Sequence, residues 1–142
     1  MIVVKELTKA NPKALEDINN LVYQLSERLP KCSMDLLTKI VADKNTELWV
    51  ARDGEDIVGM GTLIVALLPE GERAQIEDIV VDEKYRGKGL GEELSRKLIA
   101  RAKDRKIPSI TLSSRTERTA ANKLYQKLGF VQWPTNVYKL KL

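Results

Sequence analysis

The sequence predicts an α/β (α+β) domain in which a mixed sheet carries helices on its faces. Three observations lead there. The chain has 142 residues, enough for one domain with a real core and too few for two. Runs of β character alternate with stretches of helical periodicity in the order β-α-α-β-β-β-α-β-α-β-β. A glycine-studded basic turn, Arg86 to Gly91, joins one of those strands to a strong helix pattern.

Ile2 to Leu7 is a short β-like run. Asn11-Pro12 opens a helix, because proline suits a first turn, and Leu15, Ile18, Leu21, Val22 and Leu25 follow at helical spacing. Leu29-Pro30-Lys31 breaks it. Ser33 is placed to cap a second helix striped by Leu36, Leu37, Ile40 and Val41. Glu47 to Arg52 reads as a strand and Asp53-Gly54 as a turn. Asp56 to Leu68 is a longer β run in which Gly59 and Gly61 mark a bulge or a close approach. Pro69-Glu70-Gly71 turns the chain back into the strand Ala74 to Val81.

From Gly89 or Leu90 the next helix carries Leu90, Leu94, Leu98 and Ala102 at every fourth place, and Ile107-Pro108 stops it. Ser109 to Ser113 is a strand, and Thr119 to Leu128 a helix closed by Gly129. Phe130 to Trp133 and Val137 to Leu142 read as two closing strands. No linker or repeat interrupts the chain, so residues 1–142 form a single domain.

Composition narrows the chemistry. Apolar residues make up 43% and charged residues 31%, as in ordinary soluble domains. No apolar run is long enough to span a bilayer, and no signal peptide is visible. Cys32 is the only cysteine, which excludes an internal disulfide and a cysteine-rich zinc site and makes a reducing cytoplasm the natural setting. The absence of histidine excludes a Ser-His-Asp triad, a Cys-His pair and a His-ligated metal. Proton transfer must therefore use Glu, Asp, Tyr, Lys, water or the substrate. The net charge of +4 is mild and its signs are interleaved, so the reading includes no nucleic-acid partner.

The turn after Val81 is the candidate site. Glycines at 87, 89 and 91 let backbone amides approach a ligand, and a helix N-terminus favours an anion. A P-loop fails because Gly87-Lys88 runs into Gly89 rather than Ser or Thr. A dinucleotide fingerprint is weak because Glu92 stands where its third glycine belongs. What remains is Arg86-x-x-Gly89-x-Gly91 after an apolar strand and its Asp82.

That pattern resembles the R/Q-x-x-G-x-G/A motif of the GNAT superfamily of acyl-CoA-dependent N-acyltransferases. Ala120 to Phe130, with Leu124-Tyr125 and Gly129-Phe130, resembles its A-x-x-L-Y-x-x-x-G-F signature. The resemblance is dense from about Glu77 to Phe130. It implies a largely antiparallel central sheet of about seven strands flanked by helices. It implies acetyl-CoA as co-substrate, without a metal. Amides of Gly87, Lys88, Gly89, Leu90, Gly91 and Glu92 would then hold the pyrophosphate of CoA, with Arg86 of the motif also among the cofactor-binding residues. Ile79, Val80 and Val81 would pair with pantetheine, Asn122 would touch the pantetheine arm, and Tyr125 would stand by the sulfur. The site is expected where the sheet splays after Val81.

Acetyl transfer to a primary amine needs an acid for the leaving thiolate and a base or water relay for an ammonium with a pKa near ~10.4. The resemblance makes Tyr125 the acid. Its stripe with Ala121, Leu124 and Leu128 also suits a core-edge aromatic. Glu77 is the candidate base, with Asp78 or water next. Two carboxylates in Ile76-Glu77-Asp78-Ile79 are costly inside an apolar strand unless paired or working. The competing account of Glu77 is an ion pair with Arg52, Arg73 or Arg115. Cys32 reads as a small half-buried residue, and Trp49 and Trp133 as packing anchors, with Trp133 also placed to line the acceptor cleft. Arg115 and Arg118 read as phosphate contacts or surface charge. The acceptor is a small-molecule or protein amine, and Val137 to Leu142 is suited to pair across a homodimer. The rival function is a non-catalytic acetyl-CoA sensor.

Overall fold

β1 (Ile2–Glu6), β2 (Thr46–Asp53), β3 (Asp56–Leu68), β4 (Gly71–Val81) and β5 (Ile110–Thr111) lie in that order in a single sheet. The structure, a computed structural model, describes residues 1–142. β1 to β4 are antiparallel neighbours, and β5 joins β4 in parallel. The helices are α1 (Pro12–Leu25), α2 (Met34–Ala42), α3 (Leu90–Asp104) and α4 (Thr119–Lys127).

Local sequence explains where the first helices begin. Asn11 Oδ1 accepts the Ala14 N–H at 2.8 Å with Pro12 in the first turn, and Ser33 Oγ accepts the Leu36 N–H at 3.0 Å. The apolar stripes then choose the faces. Ile18 and Leu21 of α1 and Leu37 of α2 bury against Leu48, Val50, Met60 and Val80. On the opposite face, α3 sets Leu98 and Ala102 against Leu63, Ile76 and Ile79. Burying each such leucine favours the fold by roughly 1.5–3 kcal/mol.

Gly59 and Gly61 are the places where α3 approaches β3 closely. A Cβ there would lie 3.2 Å from a Leu94 methyl and 3.0 Å from a Leu98 methyl. Beside this contact, the buried Glu47 carboxylate is held by Arg101 at 2.8 Å, Arg105 at 3.6 Å and the Trp49 indole N–H at 3.0 Å. Burial, and then the nearby Glu47 charge, push the Glu6 carboxyl above its ordinary range.

The sheet has five strands rather than about seven. Phe130 to Trp133 and Val137 to Leu142 form no ladder, and β5 covers only Ile110–Thr111 of the expected Ser109 to Ser113. A strand is stabilised by a partner on its edge, and a two-residue β5 offers little edge to continue. Residues 131–142 are exposed throughout, so Trp133 is not a packing anchor, whereas Trp49 is partly buried against α3. No helix is long and apolar enough to cross a membrane.

Candidate functional site

β4 and β5 pair only at Ala74 with Ile110 and Gln75 with Thr111, then part. The opening therefore begins beside Glu77, well before the expected point after Val81. In the β3–β4 ladder Met60 faces Val80 but Thr62 faces Glu77, so β4 carries an extra residue opposite Gly61. Asp78 sits in this bulge with φ +54°, a left-handed backbone that a non-glycine residue adopts at a cost.

The bulge decides what the open edge presents. The Asp82 N–H donates to the Val58 carbonyl at 2.8 Å, and Val80 sits opposite Met60 in the same ladder. Strand alternation turns the polar backbone of Ile79 and Val81 the other way, into the opening. A cleft of about 1330 Å³ follows, walled by β4 from Glu77 to Val81, the glycine turn, Ser113 to Arg115, and the start of α4 as far as Tyr125.

The glycine turn closes one end. Gly87 and Gly89 have φ +78° and +81°, and beyond the adjoining residues no protein atom lies within 4 Å of a Cβ built on either. The helical ladder of α3 begins with the Glu93 N–H donating to Gly89 at 3.0 Å, so the amides of Leu90, Gly91 and Glu92 precede it as free helix-start donors. Glu92 ion-pairs with Lys127 at 2.9 Å and Arg96 at 2.8 Å, which holds its carboxyl below the usual range and offsets its charge beside the free amides. Lys88 turns over the Tyr85 ring at 5.2 Å, and its side chain does not line the cleft.

The turn is anchored from behind. Asp82 accepts the Lys84 N–H at 2.9 Å and the side-chain amides of Gln24 at 3.0 Å and Asn20 at 3.2 Å. The Tyr85 hydroxyl donates to Asp53 at 2.6 Å, which, with burial, raises its pKa. Arg86 Nε donates to the Val81 carbonyl at 2.9 Å.

On the far wall Tyr125 is 7% exposed and packs edge-on to Phe130 with centroids 6.0 Å apart. Burial raises the phenol pKa and the Arg118 charge opposes that rise. Asn122 does not line the cleft: its Nδ2 donates to the carbonyls of Arg115 at 2.8 Å and Arg118 at 2.9 Å and so ties α4 to the loop before it. Glu77 lines the cleft, takes a hydrogen bond from the Gln75 amide and belongs to none of the ion pairs. Arg73 pairs with Glu70, and Arg52 donates to the Glu55 carbonyl, so neither meets Glu77. Asp78 opens into the same concave wall, where partial desolvation raises its carboxyl pKa.

Cys32 is half-buried, bonded through its backbone to Asn19, and burial pushes its thiol pKa up, away from a nucleophile's range. The sequence reading missed Gln24 as part of the cleft; its spacing of i, i+4 from Asn20 on the polar side of α1 was the available signal. It also missed the tie between Arg118 and the Ile79 carbonyl at 3.3 Å, for which the sequence carries no signal.

The family model described as the acetyltransferase (GNAT) family matches residues 13–130. N-acetyltransferase 8B of Rattus norvegicus is 31% identical over 98 residues, which are 68% of this chain and 44% of the rat protein. The chain thus spans less than half the length of this curated relative. A crystal structure of a transcriptional regulator from Bacillus halodurans C-125 superposes with a TM-score of 0.80 at 29% identity, covering 100% of both chains. A protein of Clostridium acetobutylicum, described as a predicted acetyltransferase and solved with acetyl-CoA, superposes with a TM-score of 0.78 at 17% identity, covering 99% of this chain and 96% of that one.

Proposed function

The chain belongs to the acetyltransferase (GNAT) family, and we propose that it transfers the acetyl group of acetyl-CoA directly to a primary amine within a ternary complex. The observation that carries this reading is one continuous cleft that contains the helix-start amides, the open β4 edge, Tyr125 and Glu77. The pyrophosphate sits over Gly87 to Glu92, and the pantetheine arm pairs with the backbone of Ile79 and Val81. The Clostridium protein that shares the fold was solved with acetyl-CoA, which supports this donor.

The amine nitrogen attacks the thioester carbonyl, a C–N bond forms, and the C–S bond breaks with its electron pair left on sulfur. Glu77 takes the proton of the incoming ammonium, directly or through water. Tyr125 gives its phenol proton to the sulfur, and the second proton lost by the nitrogen as the amide forms restores the phenol through water. A phenol whose pKa is raised by burial stays protonated at neutral pH, as a donor must. A backbone amide of the β4 edge holds the oxyanion. The carboxylates of Glu77 and Asp78 at one mouth suit a cationic acceptor. We place the protein in the cytoplasm.

A non-catalytic acetyl-CoA sensor would keep the cradle and have no use for two proton-transfer groups. Thiol release from acetyl-CoA across a broad amine panel separates the two readings. Release with at least one amine supports transfer. CoA protection against heat without any release supports the sensor, and no thermal protection by CoA removes both.

A further inference from the structure

The open edge of β4 exposes two carbonyls, and a guanidinium meets each. Arg86 reaches Val81 from the glycine turn, and Arg118 reaches Ile79 from the opposite wall, with Nη2 donating at 3.3 Å. Arg118 is also where α4 begins. Its carbonyl accepts the Asn122 N–H at 3.0 Å and the Asn122 side-chain amide at 2.9 Å. Its backbone thus starts the helix that carries Tyr125, while its head group is fixed to the sheet. At the opposite end of the helix, Lys127 ion-pairs with Glu92.

We propose that Arg118 is a positioning residue: it ties the start of α4 to the open edge of β4 and keeps a cation in the cleft that Tyr125 also lines while the thiolate departs. The proposal rests on the acetyl-transfer reading for its chemistry. A carbonyl oxygen has two lone pairs, so Ile79 can accept from Arg118 and from a pantetheine amide together. When the C–S bond breaks, negative charge appears on sulfur. The phenol proton then moves to sulfur and the charge passes to the phenolate oxygen. A guanidinium in the same cleft favours negative charge at either stage.

The surroundings make this cation the relevant one. Arg86, Arg115 and Lys139 also line the cleft, but it is the Arg118 charge that lowers the phenol pKa which burial raises. Removing it therefore raises the phenol pKa further. Lysine in its place keeps the charge and one donor.

The test uses the full chain with Arg118→Gln and Arg118→Lys, and has two readouts. The first is phenolate absorbance against pH in CoA-free protein, with Tyr125→Phe subtracted to isolate Tyr125. Arg118→Gln is expected to move the Tyr125 titration upward, and Arg118→Lys to leave it near the parent value. The second is the split of kcat from KM. Arg118→Gln is expected to lower kcat about tenfold, with KM for acetyl-CoA within about twofold, and Arg118→Lys to restore most of kcat.

An unmoved titration in folded Arg118→Gln overturns the proposal, as does a folded lysine variant that behaves like glutamine. Should the glutamine variant not fold, the lysine variant decides: parent-like titration and kcat uphold the cation's role, and loss of both overturns it. If the titration shifts as expected but the parent protein acetylates no amine, the acetyl-transfer reading falls while the placement of Arg118 on Tyr125 stands.

Discussion

Gln24 binds Asp82 and its neighbour at once: its Nε2 donates to Asp82 at 3.0 Å and its carbonyl oxygen accepts the Glu83 N–H at 2.9 Å. A helix on one side of the sheet thereby holds the entrance of the glycine turn on its carboxyl-terminal edge. Asp82, which also caps the Lys84 N–H, has its carboxyl pKa lowered first by that backbone bond. A depressed folded-state pKa contributes stability above the unfolded value of about 3.9, lost as pH falls through the folded value. Asp82→Asn should therefore cost up to about 1 kcal/mol at neutral pH, a cap-sized effect reduced by solvent screening. In urea unfolding, the difference from the parent should shrink below about pH 4. A difference that persists undiminished at low pH would show that the carboxylate charge is not what holds the turn.

Gly89 and Gly54 share a positive φ, +81° and +61°, with open space around a built Cβ, but only Gly89 belongs to the cleft. Alanine at either position should cost about 1–2 kcal/mol in backbone strain. Gly89→Ala should also weaken acetyl-CoA binding by about tenfold or more, because its methyl fills the approach to the helix-start amides. Calorimetric titration of both variants checks this, and equal affinities would remove the cradle from the binding site.

Tyr125→Phe keeps the ring and its edge contact with Phe130 and deletes the proton. Turnover should fall by about 10²-fold with little change in acetyl-CoA affinity. An unchanged kcat would leave Tyr125 as a core-edge aromatic.

Glu77→Gln removes the proposed base and retains a partner for Gln75. The rate should drop at neutral pH by about 10²-fold, and the deficit should narrow as pH approaches the amine pKa of about 10.4, where the acceptor frees itself. If Asp78→Asn shows that pattern instead, the base is Asp78.

Glu47→Gln tests the buried ion cluster with Arg101 and Arg105. Loss of the charge should cost about 2 kcal/mol in denaturant unfolding, below the usual cost of breaking a buried pair because Arg101 is partly solvated. The cleft lies elsewhere, so kcat should not change.

Most elements were legible from local rules. Asn11 with Pro12 and Ser33 announced α1 and α2 by their capping chemistry, and the fourfold leucine spacing announced α3. The spacing of Arg86, Gly89 and Gly91 announced the glycine turn at the head of α3. The last two strands were misread because Phe130 to Trp133 and Val137 to Leu142 have β-like composition, and composition does not supply the neighbour that a ladder requires.

By itself, the sequence determined the order of the elements, the sided stripes of the helices and the free amides at the start of α3, since capping, periodicity and glycine conformation act over a few residues. Only the tertiary structure decided the extra residue at Asp78, the parting of β4 from β5 beside Glu77, and the arrival of Arg118 on the Ile79 carbonyl. Each depends on which backbone groups are left unpaired when strands distant in sequence are brought edge to edge. That pairing is a property of the assembled sheet, and no local pattern carries it.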